Sequence, residues 1–202
     1  MRSLLALAAT LLSSLAPNLA DAQSACPTAN DLSQGIRVDR SGGYTEIFRS
    51  GGQGIIAVEG SIDRKLEYTL ELAGGLQLLS YSGNVGETPD TEGDLTYDYG
   101  LPLADLPLPV PSGRWQSGVT VTAKSGPFTE PQLYAYGPLE QISIGTCPYA
   151  MISASIAYQN DANYIETVQY LPDLGISILV RQGDDTSDPT EFTIQRIGVV
   201  RQ

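Results

Sequence analysis

Polar and apolar residues alternate along most of this chain, with the period of two that places every second side chain on one face of a β-strand. In residues 65–72 the alternation is unbroken, so Leu66, Tyr68, Leu70 and Leu72 are expected to face a core. Ile152, Ala154, Ile156 and Tyr158 are likewise expected to share one face of a later strand. Further strands are predicted at 36–39, 44–49, 55–62, 76–81, 95–99, 119–124, 132–136, 141–144, 164–170, 176–181 and 192–197.

Glycine-rich and aspartate-rich breaks separate these strands, as at Ser41-Gly42-Gly43 and Gly183-Asp184-Asp185. Such residues favour tight turns. Many short strands with turn signals about every eight to twelve residues are typical of an all-β sandwich or barrel. No helix is predicted after the first 22 residues.

Residues 101–111 differ from the rest, because prolines stand at positions 102, 107, 109 and 111. Proline cannot donate to a β-ladder, so an extended crossing segment is expected here. It divides the strands into two groups, which form either two sheets of one domain or two small lobes. We expect a single domain over 23–202, since each half alone would be marginal in stability. The prolines and the charges on several strands also argue against an integral membrane protein.

The N-terminal residues 1–22 have the pattern of a cleavable signal peptide. Arg2 precedes an apolar run, and Ala20-Asp21-Ala22 supplies small residues for cleavage after Ala22. The run is about 12 residues long, whereas a membrane span needs about 20. The periplasm is therefore the expected location, with secretion from the cell as an alternative. A second alternative is a lipid anchor on Cys26, although Gln23 does not fit the lipidation pattern.

The composition limits the partners, catalytic mechanisms and metal sites that are compatible with this chain. A formal net charge of −12 disfavours nucleic acid as a partner. The chain has no histidine, which excludes Ser-His-Asp and Cys-His catalysis and histidine-ligated metals. No cofactor and no metal site are expected. The only two cysteines, Cys26 and Cys147, are predicted to form a disulfide in an oxidising compartment.

The carboxylates are considered for two kinds of site, a calcium-binding loop and the active site of a glycan hydrolase. Residues 90–94 place three of them two apart, but the glycine and glutamate that a calcium loop needs at its sixth and twelfth positions are replaced by Leu95 and Leu101. A glycan hydrolase would need two carboxyl groups in one cleft. The glutamates on or beside predicted strands are Glu46, Glu59, Glu140 and Glu166.

Aromatic residues are the candidate ligand contacts. Tyr97 and Tyr99 share one face of a predicted strand, as do Tyr134 and Tyr136, and Trp115 is expected at the end of the core where the second half begins. A stripe of tyrosines on a sheet can bind an apolar or sugar ligand through ring area and hydroxyl groups. The same residues also pack well as ordinary core side chains.

The second half resembles uncharacterised periplasmic β-domains of Gram-negative bacteria, in which a strand with Gly-Cys-x-Tyr or a lone Cys precedes one ending in Tyr-x-Pro-x-Leu-Gly. Here Cys147 and Tyr149 match the first strand, and Tyr170, Pro172, Leu174 and Gly175 match the second. The resemblance covers about residues 111–197. It implies an antiparallel sheet curled into an open or partial barrel, similar to carriers of lipidic ligands, and it implies no catalytic residues.

Together these features predict an exported, non-catalytic binding or envelope-associated protein. Its partner would be a small apolar or amphiphilic ligand, or another envelope protein. A carboxylate-dependent glycan hydrolase is one alternative. A secreted inhibitor or adhesin is the other, and it would present a rigid loop near residues 101–111.

Overall fold

The computed structural model describes residues 26–85, 88–159, 163–184 and 186–201, with the backbone alone at 84–85 and 88–92. The expected signal peptide lies outside these residues, and so do the side chains of Asp90 and Glu92. The described chain forms one antiparallel sheet of thirteen strands and contains no α-helix. The all-β prediction is therefore confirmed.

The first seven strands are β1 (Ile36–Arg40), β2 (Tyr44–Gly52), β3 (Ile55–Ile62), β4 (Lys65–Ala73), β5 (Gln77–Val85), β6 (Thr88–Asp98) and β7 (Arg114–Ala123). The others are β8 (Gly126–Ile144), β9 (Cys147–Tyr158), β10 (Tyr164–Leu171), β11 (Ile176–Gly183), β12 (Thr190–Glu191) and β13 (Ile194–Val199). Short 3-10 turns occur at Ala29–Ser33, Ser41–Gly43 and Leu103–Asp105.

The strands follow one another as a meander from β1 to β12, and β13 returns to pair with β1. Strands β12 and β13 thus lie at opposite edges of the sheet, although only Phe192 and Thr193 separate them. The Phe192 N–H donates to the Val180 carbonyl on β11 (2.8 Å), and the Ser41 N–H after β1 donates to the Thr193 carbonyl (2.9 Å). The sheet is curled until its edges meet at these two residues, but it does not close into a barrel.

This crossing corrects the strand predicted at 192–197. The chain pairs with β11 for only two residues and then moves to the other edge, so one predicted strand is two. The strands predicted at 132–136 and 141–144 are instead one strand, β8. Its register on β9 shifts between Tyr136 and Leu139.

On β9 burial agrees with the prediction, since Ile152, Ala154, Ile156 and Tyr158 are all buried. On β4 the burial pattern does not alternate. Leu66 was predicted to face the core and is 45% exposed, so that prediction was wrong. Tyr68 pairs with Gly60 while Leu66 pairs with Ser61, which makes Glu67 an extra residue in β4. Such a β-bulge interrupts the alternation and turns the preceding side chain to the other face.

The proline-rich segment crosses the sheet surface without dividing the sheet, since β6 pairs directly with β7 on either side of it. Leu106 is buried, and the Gln77 side-chain amide donates to the Pro107 carbonyl (2.6 Å). Leu108 and Val110 are exposed. The segment is therefore held to the sheet at its middle and presents apolar side chains beside that attachment.

The predicted disulfide is confirmed. Cys26 and Cys147 are bonded (2.11 Å) across a sequence separation of 121 residues. Cys147 is buried in the largest apolar cluster, against which Cys26 also packs. The Tyr149 hydroxyl donates to the Pro27 carbonyl (3.2 Å) beside the bridge. The bridge fixes the start of the described chain to β9, and a Cys26 sulfur held in it cannot also carry a lipid.

Candidate functional site

The inner face of the curled sheet lines a cavity of about 410 Å³, partly open to solvent, between strands β2–β5 and strands β9–β11. It forms because inward-facing side chains of the two walls do not meet across this part of the sheet. Its volume lies within the range of about 300–1,000 Å³ that is usual for small-molecule sites. The apolar lining residues are Phe48, Val58, Ile62, Leu70, Leu72, Leu76, Leu78, Ile156, Val168, Leu179 and Phe192.

A buried ion pair forms one polar part of the wall. Arg40 and Glu46 are only 2% and 4% exposed, and Arg40 Nη2 lies 3.0 Å from Glu46 Oε1. Arg40 extends the buried face that Ile36 and Val38 begin on β1. Its other terminal nitrogen, Nη1, donates to the Leu179 carbonyl on β11 (2.9 Å). Arg40 thereby ties the first strand to the opposite side of the curled sheet.

Aromatic groups complete the surroundings of this pair. The Arg40 guanidinium lies over the rings of Phe192 (4.6 Å) and Tyr44 (5.3 Å). The Tyr68 hydroxyl donates to Glu46 Oε1 (2.5 Å). Burial raises the pKa of Glu46, and it also raises the pKa of Tyr68, while Arg40 opposes both shifts. Among the described residues, Arg40 Nε and Glu46 Oε2 have no hydrogen-bond partner.

Gly60 allows Tyr68 to reach this position. The two residues face each other on β3 and β4, and a Cβ added at Gly60 would lie 2.1 Å from Tyr68 Cζ. The tyrosine ring therefore occupies the space above a strand residue that has no side chain.

Gly60→Ala is expected to push Tyr68 away from Glu46 and to lower the free energy of unfolding by about 1–3 kcal/mol, as overpacking does. Gly118→Ala is the matched control, because a Cβ at that strand position meets only Thr129 Cγ2, at 4.0 Å. Urea denaturation of both variants measures the difference. Equal stability of the two would contradict this role for Gly60.

Glu166 on β10 forms the second polar part of the wall. The Tyr158 hydroxyl donates to its Oε2 (2.8 Å), and Tyr164 provides a second hydrogen bond. Among the described residues, no basic side chain forms an ion pair with Glu166. Burial raises the pKa of the Glu166 carboxyl, and the nearby charges of Glu130 and Glu46 raise it further, against the two tyrosine hydrogen bonds.

A second cavity of about 380 Å³ adjoins the first. The two share the lining residues Leu78, Tyr81, Tyr158, Tyr164 and Glu166. Those side chains therefore separate the two cavities, and Glu166, Tyr158 and Tyr164 line both of them.

Of the five aromatic residues predicted as ligand contacts, four do not line either cavity. Tyr97 lines the second cavity. Tyr99, Trp115, Tyr134 and Tyr136 instead pack against one another, with Trp115 4.9 Å from the Tyr134 ring and 5.7 Å from the Tyr99 ring. Trp115 packs against two of the apolar clusters. Binding through these five residues stays a prediction.

Hydroxyl groups within this aromatic cluster are largely satisfied internally. Tyr99 and Tyr134 both donate to the Gln132 side-chain oxygen, at 3.2 and 2.7 Å. The Gln132 amide in turn donates to Glu130 Oε1 (3.0 Å). Burial raises the pKa of Tyr136 to about 12, and the hydroxyl of Tyr136 has no hydrogen-bond partner among the described residues.

Of the four glutamates considered for a carboxylate pair, Glu46 and Glu166 line the first cavity. Glu59 is exposed and pairs with Arg49 (2.6 Å), and Glu140 is also exposed. Arg40, Tyr158 and Tyr164 were not predicted as site residues. For Arg40 a signal was present, because it occupies an inward position of β1, where a charged side chain is rare without a partner or a function.

No family model matches the chain, and no curated protein sequence matches it. A solved structure, that of the hypothetical lipoprotein YmcC from Escherichia coli (K12), is similar at a TM-score of 0.42 and 12% identity. The match covers 80% of this chain and 86% of that chain. At this TM-score the likeness carries no argument about function. The described residues include no helix with the length and apolar character needed to cross a membrane.

Proposed function

We propose that this protein is an exported, non-catalytic binding protein that holds an amphiphilic ligand inside its curled sheet. The observation that carries the proposal is the 410 Å³ cavity, whose wall is largely aliphatic and aromatic with two separate polar groupings. An aliphatic wall accepts an apolar chain, and the carboxylates and tyrosine hydroxyls accept a polar head.

The size of the space supports a ligand rather than loose packing. Protein interiors are close-packed, and voids larger than a water are few. A space of about 410 Å³ is far larger than one water needs, and most of its wall offers water no hydrogen bond. An apolar ligand would recover the dispersion contacts that the wall lacks.

Export to the envelope belongs to the same proposal. The signal-like pattern of residues 1–22 predicts it, and the disulfide fits an oxidising compartment. The resemblance to periplasmic β-domains agrees with this location and stays a prediction.

Filling the cavity is expected to abolish binding. In Leu78→Trp a large ring would enter the space that Leu78 lines, so the affinity for the fluorescent probe N-phenyl-1-naphthylamine should fall at least about tenfold, because cavity volume decides which ligands fit. Leu133→Trp makes the same exchange at an exposed position and should bind the probe like the wild type. Fluorescence titration measures both, and Leu70→Phe is a milder variant should Leu78→Trp not fold. Unchanged binding by the filled variants, or no binding by the wild type, would contradict the proposal.

A glycan hydrolase is the second candidate, because Glu46 and Glu166 do line one cavity. Glu46 is engaged by Arg40 and Tyr68, which leaves Glu166 as the carboxyl available to act. This function predicts release of reducing ends from an envelope polysaccharide, lost in Glu166→Gln. An absence of hydrolysis by the wild type across a polysaccharide panel would remove it.

A further inference from the structure

We propose that the polar head of the ligand is a cation, an ammonium or amine group, held by the Glu166 carboxylate and the rings of Tyr158 and Tyr164. This inference rests on the proposed binding function and names the ligand class for the same cavity. The charged groups and the aromatic rings on the cavity wall support the inference.

The charges of the first cavity do not cancel. Its ionisable acids and bases are Arg40, Glu46 and Glu166. Arg40 is engaged by Glu46 at 3.0 Å, so this pair is neutral as a unit. Glu166 then contributes a negative charge for which the described residues supply no cation. An anionic head would be repelled here, and a cationic head would be attracted.

The rings on the wall favour the same ligand class. Tyr158 and Tyr164 lie 5.8 Å apart beside Glu166, and Tyr68 and Tyr81 lie stacked at 6.3 Å on the facing wall. All four rings line the first cavity. An aromatic ring attracts a cation to its negative face, and the attraction grows when water is excluded. Tyrosine rings around a carboxylate are the side chains expected around a quaternary ammonium.

Glu166 has no evident structural need for its charge. Its described hydrogen bonds come from two tyrosine hydroxyls, which a neutral amide oxygen would also accept. Enclosing a carboxylate without a cation is costly, and in agreement with this cost the pKa of Glu166 is raised. A bound cation would offset that cost, whereas an uncharged head such as a sugar would leave it in place.

The inference is tested with three ligands that share a decyl chain, each below its micellar concentration. They are decyltrimethylammonium, decyl sulfate and the uncharged decyl dimethylphosphine oxide. Calorimetric titration at pH 8 should show that the cation binds at least about tenfold more tightly than the uncharged compound, as expected for a desolvated cation–ring and carboxylate site. Decyl sulfate should bind least tightly.

Glu166→Gln should remove the preference, lowering the affinity for decyltrimethylammonium about tenfold while leaving that for the phosphine oxide unchanged. Glu140→Gln is the matched control at an exposed position and should behave like the wild type. Equal binding of the cation and the uncharged compound, unaffected by Glu166→Gln, would overturn the cationic head and leave the binding function intact. Failure of all three compounds to bind would overturn both.

Discussion

Replacing Arg40 by methionine is expected to lower the free energy of unfolding by about 3–5 kcal/mol, because it leaves the Glu46 carboxylate buried without its cation. The same change removes the hydrogen bond from Arg40 to the Leu179 carbonyl and the contacts of the guanidinium with two rings. Urea denaturation followed by far-ultraviolet circular dichroism measures the loss.

Two controls isolate the buried pair. Arg49 and Glu59 are paired at 2.6 Å, but their side chains are 37% and 53% exposed, so Arg49→Met should cost less than about 1 kcal/mol. Adding Glu46→Leu to Arg40→Met should restore much of the lost stability, since apolar replacement of both partners of a buried pair is often neutral. An Arg40→Met variant as stable as Arg49→Met would contradict this role of the buried Arg40–Glu46 pair.

Removing the disulfide has the second large effect. The double variant Cys26→Ala/Cys147→Ala opens a loop of 121 residues, and the chain-entropy model assigns about 4–5 kcal/mol to a loop of that length. Chemical denaturation with and without a reducing agent measures it. Reductant should destabilise the wild type to a similar degree and leave the variant unchanged. A loss below about 1 kcal/mol would show that the N-terminal segment is held by its other contacts.

The strands were predictable because alternation is a local property. The strand expected at 55–62 coincides with β3, and Ile152, Ala154 and Ile156 are buried as their spacing predicted. The cysteine pair was equally accessible to prediction, since two cysteines allow one intramolecular bridge.

The errors arose where the sheet departs from local regularity. A bulge at Glu67 exposes Leu66, although its neighbours alternate without interruption. The break after Glu191 occurs because the curled sheet brings its other edge within two residues. Both depend on long-range pairing, and a strand pattern read along the chain contains no information on which edge the next residue will meet.

The candidate site was predictable only in part. Glu46 and Glu166 were considered together with Glu59 and Glu140, and nothing local separates the four. The aromatic candidates show the same limit, because Tyr134 and Tyr158 are both inward residues of regular strands. Tyr134 packs against Trp115, its partner on the neighbouring strand β7, within a packed cluster, whereas Tyr158 borders a cavity. Which inward side chains meet a partner is decided by the curvature of the sheet.

A crystal structure of the protein with decyltrimethylammonium would show where the amphiphile binds. The decyl chain is expected within the cavity between β2–β5 and β9–β11, along Leu70 and Leu78. The quaternary nitrogen should lie beside the Glu166 carboxylate and within about 6 Å of the centroid of the Tyr158 or Tyr164 ring. A cavity that holds only water, with the amphiphile on the outer face of the sheet or absent, would contradict ligand binding inside the curled sheet.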